Sequence, residues 1–130
     1  MASVYKELLI NAPIDRVWDA VQDYGALHTR LVIGFVTDCK VDGDDRVVTF
    51  FNGNVVRERL VGIDVEHKRL SYTLVGSQAT HHQASVALVA EADHRTRFIW
   101  ITDVLPNALA ETIDAMMARG LASIRQTLER

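Results

Sequence analysis

Glu58 is the ionisable residue of this chain with the clearest route to chemistry, because apolar residues alternate with it at Val56 and Leu60. One reading makes it a partly solvated carboxylate that pairs with Arg57, Arg59 or another neighbour. The other makes it an interior acid, where desolvation favours the neutral form and hydrogen-bond donation becomes possible. In the second reading it is the candidate catalytic acid or base. The five histidines (His28, His67, His81, His82 and His94) raise a metal site. Adjacent strand residues point to opposite faces, so His81 and His82 cannot bind one ion in regular β geometry. There is no His-Glu-x-x-His, no Cys/His cluster and no Asp-rich loop, and no metal or other cofactor is expected. Cys39 has no recognisable catalytic partner, and no phosphate-cradling glycine loop or nucleophile elbow appears.

The placement of Glu58 depends on the elements around it. Residues 3–11 read as a strand, and Pro13 opens a short helix whose Ile14, Val17, Trp18 and Val21 share one face. That helix stops near Tyr24-Gly25, and 26–30 forms a second short helix or turn. Strands follow at 31–40, 46–51, 54–63, 69–75, 81–91 and 95–104, separated by turn signals such as Asp42-Gly43-Asp44-Asp45 and Gly76-Ser77. Asn52-Gly53 predicts a two-residue type I′ hairpin turn, since both residues tolerate positive φ. Its register sets Phe51 opposite Asn54, Thr49 opposite Val56 and Val47 opposite Glu58. Phe51, Val56, Glu58 and Leu60 then face the interior, while Arg57 and Arg59 face water.

Residues 106–130 read as one long amphipathic helix beginning at Pro106. Leu109, Ile113, Met116, Met117, Gly120, Leu121, Ile124 and Leu128 fall in a stripe of about 140°, opposite Glu111, Asp114, Arg119, Arg125 and Gln126. At ~1.5 Å per residue the helix is roughly 36 Å long, enough to cover a sheet. Consecutive strands with short turns make an antiparallel meander with one covered face, so the class is α+β. Gly120, central in the stripe, has two readings: a close approach of helix to sheet, or space left for a cavity.

The chain has 130 residues, which predicts a single domain over 1–130. It is 48% hydrophobic and carries a formal charge of −3, without the concentrated basic face that nucleic acid requires. No apolar run reaches the ~20 residues of a membrane span, and the N-terminus lacks the pattern of a signal peptide. A single cysteine permits no intrachain disulfide, so the expected location is cytoplasmic.

Several segments together resemble the START-like (SRPBCC) superfamily, which includes polyketide cyclases/dehydratases, lipid-transfer domains and plant hormone receptors. They are Ile10-Asn11-Ala12-Pro13-Ile14-Asp15-Arg16-Val17-Trp18 with Asp23, Glu58-Arg59-Leu60, Asp64 with Leu70-Ser71-Tyr72, Trp100 with Pro106, and Gly120-Leu121. The resemblance spans essentially the whole chain. It implies a helix-grip fold: a seven-stranded antiparallel sheet curved around the C-terminal helix, two short helices after strand 1, and a hydrophobic cavity between sheet and helix. It also implies an inward Glu in the Glu-Arg-Leu motif. The chain departs from the pattern on the sixth strand, where Gln83 stands in place of an aromatic residue beside the unusual His81-His82 pair.

The leading expectation is a non-covalent binding protein for a small hydrophobic or aromatic, lipid- or polyketide-like ligand. Its apolar wall would comprise Phe51, Val56, Leu60, Tyr72, Leu74, Phe98, Trp100, Ile113, Met116 and Met117, with Gly120 beside them. Glu58, His81, Gln83 and Ser85 are the candidate polar contacts. The alternative is a cyclase or dehydratase that uses Glu58 or a cavity histidine for acid/base chemistry, with no metal or nucleotide. A third reading has side chains filling the cavity and the protein acting through a partner surface. Either a monomer or a homodimer is compatible with the sequence, because an edge strand can pair with a second copy.

Overall fold

A computed structural model describes residues 2–129. In chain order it contains β1 (Ala2–Ile10), α1 (Ile14–Gln22), a 3₁₀ turn (Tyr24–Ala26) and α2 (Leu27–Arg30). Six strands follow: β2 (Val36–Asp42), β3 (Asp45–Phe50), β4 (Val55–Asp64), β5 (Arg69–Val75), β6 (His81–Glu91) and β7 (Arg95–Leu105). A second 3₁₀ turn (Asn107–Leu109) leads into α3 (Ala110–Leu128). The strands form one seven-stranded sheet in the order β1-β7-β6-β5-β4-β3-β2, and every neighbouring pair is antiparallel. The α+β helix-grip architecture predicted from the sequence is therefore present.

The meander arises because each connection from β2 onward is short, whereas β1 and β2 lie at opposite edges with α1 and α2 between them. Val17, Trp18, Ala20 and Val21 bury one face of α1. On α3 the buried face is Met117, Gly120, Leu121, Ser123, Ile124, Thr127 and Leu128, all in its C-terminal part. Ile113 and Met116, nearer the N-terminus, are only half-buried.

Three sequence expectations need correction. The second strand begins at Val36, not at residue 31, because residues 32–36 form a turn in which Phe35 and Val36 donate to the Val32 carbonyl at 3.2 and 3.1 Å. This segment is tied to α3. Ile33 N–H donates to Thr127 Oγ1 and Ser123 Oγ donates to the Ile33 carbonyl, each at 3.1 Å. Pro106 stands outside the terminal helix in extended conformation (φ −70°, ψ 159°), closing the strand rather than opening the helix.

The third correction concerns the β3–β4 hairpin, whose loop has three residues, Phe51, Asn52 and Gly53. Phe50 N–H donates to the Asn54 carbonyl at 2.8 Å, and Gly53 occupies the left-handed region at φ 87°. Asn52 Oδ1 accepts from Asn54 N–H at 3.1 Å, so its side chain shapes the turn. One extra loop residue shifts the pairing by one: Thr49 faces Val55, Val47 faces Arg57, and Arg46 faces Glu58. The inward set on β4 is unchanged, but on β3 it becomes Arg46, Val48 and Phe50. Phe51 is displaced to the hairpin tip. There it is 41% exposed, 5.9 Å from the Phe35 ring and beneath the Arg119 guanidinium at 4.6 Å.

Candidate functional site

Inward residues from six neighbouring strands and one face of α3 enclose a cavity of about 270 Å³. Its sheet wall carries Arg46, Val56, Glu58, Tyr72, Leu74, His82, Phe98, Trp100 and Thr102. Ile113, Met116, Met117 and Ile124 supply the helix wall. Val21, Leu27, Leu31, Val32, Phe35 and Val36 close the end formed by the short helices and the turn before β2. Asn54, exposed on the hairpin, marks the mouth together with half-buried Ile113 and Met116.

The apolar wall is interrupted by one ion pair. Arg46 Nε donates to Glu58 Oε1 at 2.8 Å, with both side chains under one-tenth exposed. Arg46 Nη1 also donates to the Tyr24 carbonyl at 3.2 Å, and its guanidinium lies 4.0 Å over the Tyr24 ring. Tyr24 returns the connection by donating its hydroxyl to the Glu58 carbonyl at 3.0 Å. Burial opposes the Arg46 charge, yet Glu58 and the two neighbouring phenols hold its pKa above the ordinary value. Burial, only partly offset by Arg46, pushes the Tyr24 phenol up to about 12. The pair is a charge-assisted hydrogen bond inside a low-dielectric wall, and removing either partner would strand the other. Behind it, burial raises the Cys39 thiol, which lies 3.8 Å from the Tyr24 carbonyl and outside the cavity lining.

A second polar group lies on the same lateral row of the sheet. Arg46 pairs with Glu58 across β3–β4, and Glu58 with Leu74 across β4–β5. The β5–β6 ladder ends at Tyr72 and Ala84, so Leu74 N–H has no strand carbonyl opposite it. It donates instead to His82 Nδ1 at 3.3 Å, while Thr73 Oγ1 donates to the His82 carbonyl. The His82 side chain thus replaces a rung of the ladder. A ring nitrogen that accepts must be unprotonated, which assigns the proton of neutral His82 to Nε2. Burial lowers the His82 pKa and favours that neutral form. Between the two groups, Tyr72 Oη accepts from Trp100 Nε1 at 3.2 Å, and burial followed by the Glu58 charge raises the Tyr72 phenol well above its ordinary value.

Of the residues anticipated from sequence, Val56, Glu58, Tyr72, Leu74, Phe98, Trp100, Ile113, Met116 and Met117 line the cavity. Phe51, Leu60, His81, Gln83, Ser85 and Gly120 do not. Phe51 sits at the hairpin tip, and Leu60 packs against the core beside the cavity. Gly120 is covered by the Trp100 ring. His81, Gln83 and Ser85 are on the outward face of β6, because Ala84, Val86 and Leu88 are the buried ones. His82 therefore takes the inward place expected of His81, and Arg46 was missed altogether. Both had a sequence signal. Val48 and Phe50 form a more apolar face than Val47 and Thr49, and Val86 and Leu88 a more apolar face than Ser85 and Ala87.

Among the described residues no group of three or more His, Cys, Asp or Glu side chains could hold a metal ion. His67 is paired with Asp64 at 2.7 Å on the surface. Among the described residues no helix is long and apolar enough to cross a membrane.

Comparison with known proteins agrees with this architecture. XoxI from Bacillus cereus superposes with a TM-score of 0.87 at 15% identity, over 98% of this chain and 96% of its own. An uncharacterized protein from Bacillus thuringiensis gives 0.86 at 14% identity, over 98% of both chains. The di-domain ARO/CYC protein BexL, from a biosynthetic pathway, gives 0.84 at 14% identity, over 99% of this chain and 47% of BexL. At these identities the likeness concerns the fold. No curated protein sequence matches the chain. The sequence profile described as polyketide cyclase / dehydrase and lipid transport matches residues 1–130, and the chain belongs to that family within the START-like superfamily.

Proposed function

We propose that this protein binds a small hydrophobic or aromatic ligand non-covalently between its sheet and α3, for transport or sequestration. The observation that carries this reading is a largely apolar cavity of about 270 Å³ with a buried Arg46–Glu58 pair set in its wall. Buried apolar area would supply affinity at ~25 cal/mol per Å², and the few polar groups would fix orientation. The chain would work as a single domain, and its lone buried Cys39 suits a reducing cytoplasm. Native mass spectrometry of protein purified from its own host tests the reading. A stoichiometric organic adduct that is weakened by Glu58→Gln is the expected result. Bare protein mass under every growth condition tried counts against it.

A catalytic reading has one observation in its favour: neutral His82 and the Glu58 carboxylate belong to the same cavity wall. A cyclase or dehydratase could use such a pair as acid and base. The fold is shared with BexL, a di-domain ARO/CYC protein from a biosynthetic pathway, which is consistent with this second reading. For an enzyme, His82→Gln would abolish turnover of a bound ligand while leaving its affinity within a fewfold. A ligand recovered chemically unchanged after prolonged incubation favours binding alone.

A further inference from the structure

Resting on the reading of the cavity as a ligand site, we infer its ligand class. The site takes an uncharged molecule of one or two rings whose polar edge carries a hydrogen-bond acceptor beside a donor. A long-chain lipid, or an anion such as an aryl carboxylate, is disfavoured.

Size is the first argument. An engineered cavity of ~150 Å³ holds benzene, whereas pockets for drug-sized ligands begin at about 300 Å³. At about 270 Å³ this cavity lies between them, which fits a two-ring guest.

Charge and hydrogen-bond accounting give the second argument. Arg46 spends Nε on Glu58 and one Nη1 hydrogen on the Tyr24 carbonyl. Among the described residues, Arg46 Nη2, Glu58 Oε2 and His82 Nε2 have no protein partner. The sealed side-chain polar atoms without partners are Trp18 Nε1, His28 Nδ1 and Arg95 Nε. Those three free atoms are therefore not sealed, and all belong to residues of the cavity wall. Together they offer donors from Arg46 and His82 beside one acceptor on Glu58.

The wall carries one positive and one negative charge held 2.8 Å apart, and His82 is neutral. A bound carboxylate would have to be desolvated beside Glu58 with no uncompensated cation to receive it. A carboxamide, lactam or hydroxy-ketone edge meets the donor and the acceptor without adding charge.

The isosteric probes 2-naphthamide and 2-naphthoate, together with palmitate, test this by isothermal titration calorimetry on the full chain at neutral pH. Binding of 2-naphthamide at least tenfold tighter than 2-naphthoate, with no measurable palmitate binding, is expected. Glu58→Gln removes the negative charge and should shift the amide-to-carboxylate ratio at least tenfold toward the carboxylate. Ile113→Trp, filling the mouth, should abolish binding of both aromatic probes. Equal or tighter binding of 2-naphthoate or palmitate by the unaltered protein would overturn the inference while leaving a ligand cavity in place. No binding of any of the three would overturn the inference and the ligand-site reading together.

Discussion

A Cβ placed on Gly120 of α3 would stand 2.8 Å from Cζ3 of Trp100 and 3.0 Å from its Cη2. The glycine is therefore where the helix comes close enough for an indole ring to occupy the space of the missing side chain. Its φ is ordinary and helical, so the requirement is steric rather than conformational. In an open helix Gly→Ala would stabilise by up to ~1 kcal/mol through helix propensity. Here the added methyl collides with a rigid ring, and overpacking costs typically about 1–3 kcal/mol. Gly120→Ala should lower stability by roughly 1 kcal/mol in urea unfolding, and Gly120→Leu by more. A more stable Gly120→Ala protein would show that Trp100 moves aside freely.

The Arg46–Glu58 pair predicts strong non-additivity. Its two side chains are 7% and 9% exposed, so a charge left without its partner would regain little hydration. Breaking such a pair costs about 3–5 kcal/mol, while replacing both members by apolar residues can be neutral or better. Arg46→Met and Glu58→Leu should each destabilise strongly, and the double variant should be more stable than either single one. Urea midpoints of the three variants measure this directly. A double variant as unstable as the sum of its parts would mean that the two residues act separately.

All three tyrosines should titrate late. Burial chiefly raises Tyr24 to about 12 and carries Tyr72 higher, while exposed Tyr5 is raised by its hydrogen bond to Glu7 at 2.7 Å. A group whose folded pKa is raised contributes stability below its unfolded value and loses it as pH climbs through the folded one. Ultraviolet absorbance of tyrosinate should therefore rise well above pH ~10 in the native protein, but near pH ~10 in urea. A native midpoint near the ordinary phenol value would contradict the burial of Tyr24 and Tyr72.

The contrast between Glu58 and Arg46 shows what was legible in the sequence. Element order, fold class and the inward direction of β4 followed from hydrophobic alternation, which tolerates errors at element ends. The inward direction of Glu58 follows from Arg57 and Arg59, which mark the opposite side of β4 as the wet one. Arg46 does not follow from the turn signal, because Asn-Gly implies a loop one residue shorter than the real one, and with period 2 a single residue inverts a whole strand. The same sensitivity exchanged His81 for His82. The part of the cavity built by Val32, Phe35 and Val36 was illegible for a different reason. Residues 31–36 have strand-like composition, but Ser123 and Thr127 of α3 fix their course from some ninety positions away.

His82 makes the acid side of stability specific. Its folded pKa lies below the ordinary imidazole value because burial disfavours the charged form, and His81 adds to this. Glu58 works in the opposite direction. Between the depressed folded pKa and the unfolded value of ~6.5, the unfolded chain binds more protons, so stability falls as pH drops through this window. Protonation also removes the Nδ1 lone pair that accepts Leu74 N–H, which opens a rung between β5 and β6 beside the cavity and leaves the Thr73 hydroxyl on the His82 carbonyl. Asp45 titrates separately. Hydrogen bonds from Arg59 and Arg57 hold its carboxyl below the usual range, so its contribution is lost only at more acidic pH. Urea unfolding from pH 7.5 to 5 should show a decline that flattens in His82→Asn, whose Oδ1 is bonded to Cγ as Nδ1 is and can still accept from Leu74 at every pH. Hydrogen exchange at the Leu74 amide should accelerate over the same interval in the parent protein, after correction for intrinsic pH dependence, and not in the variant. An unchanged slope in His82→Asn would remove His82 as the titrating group.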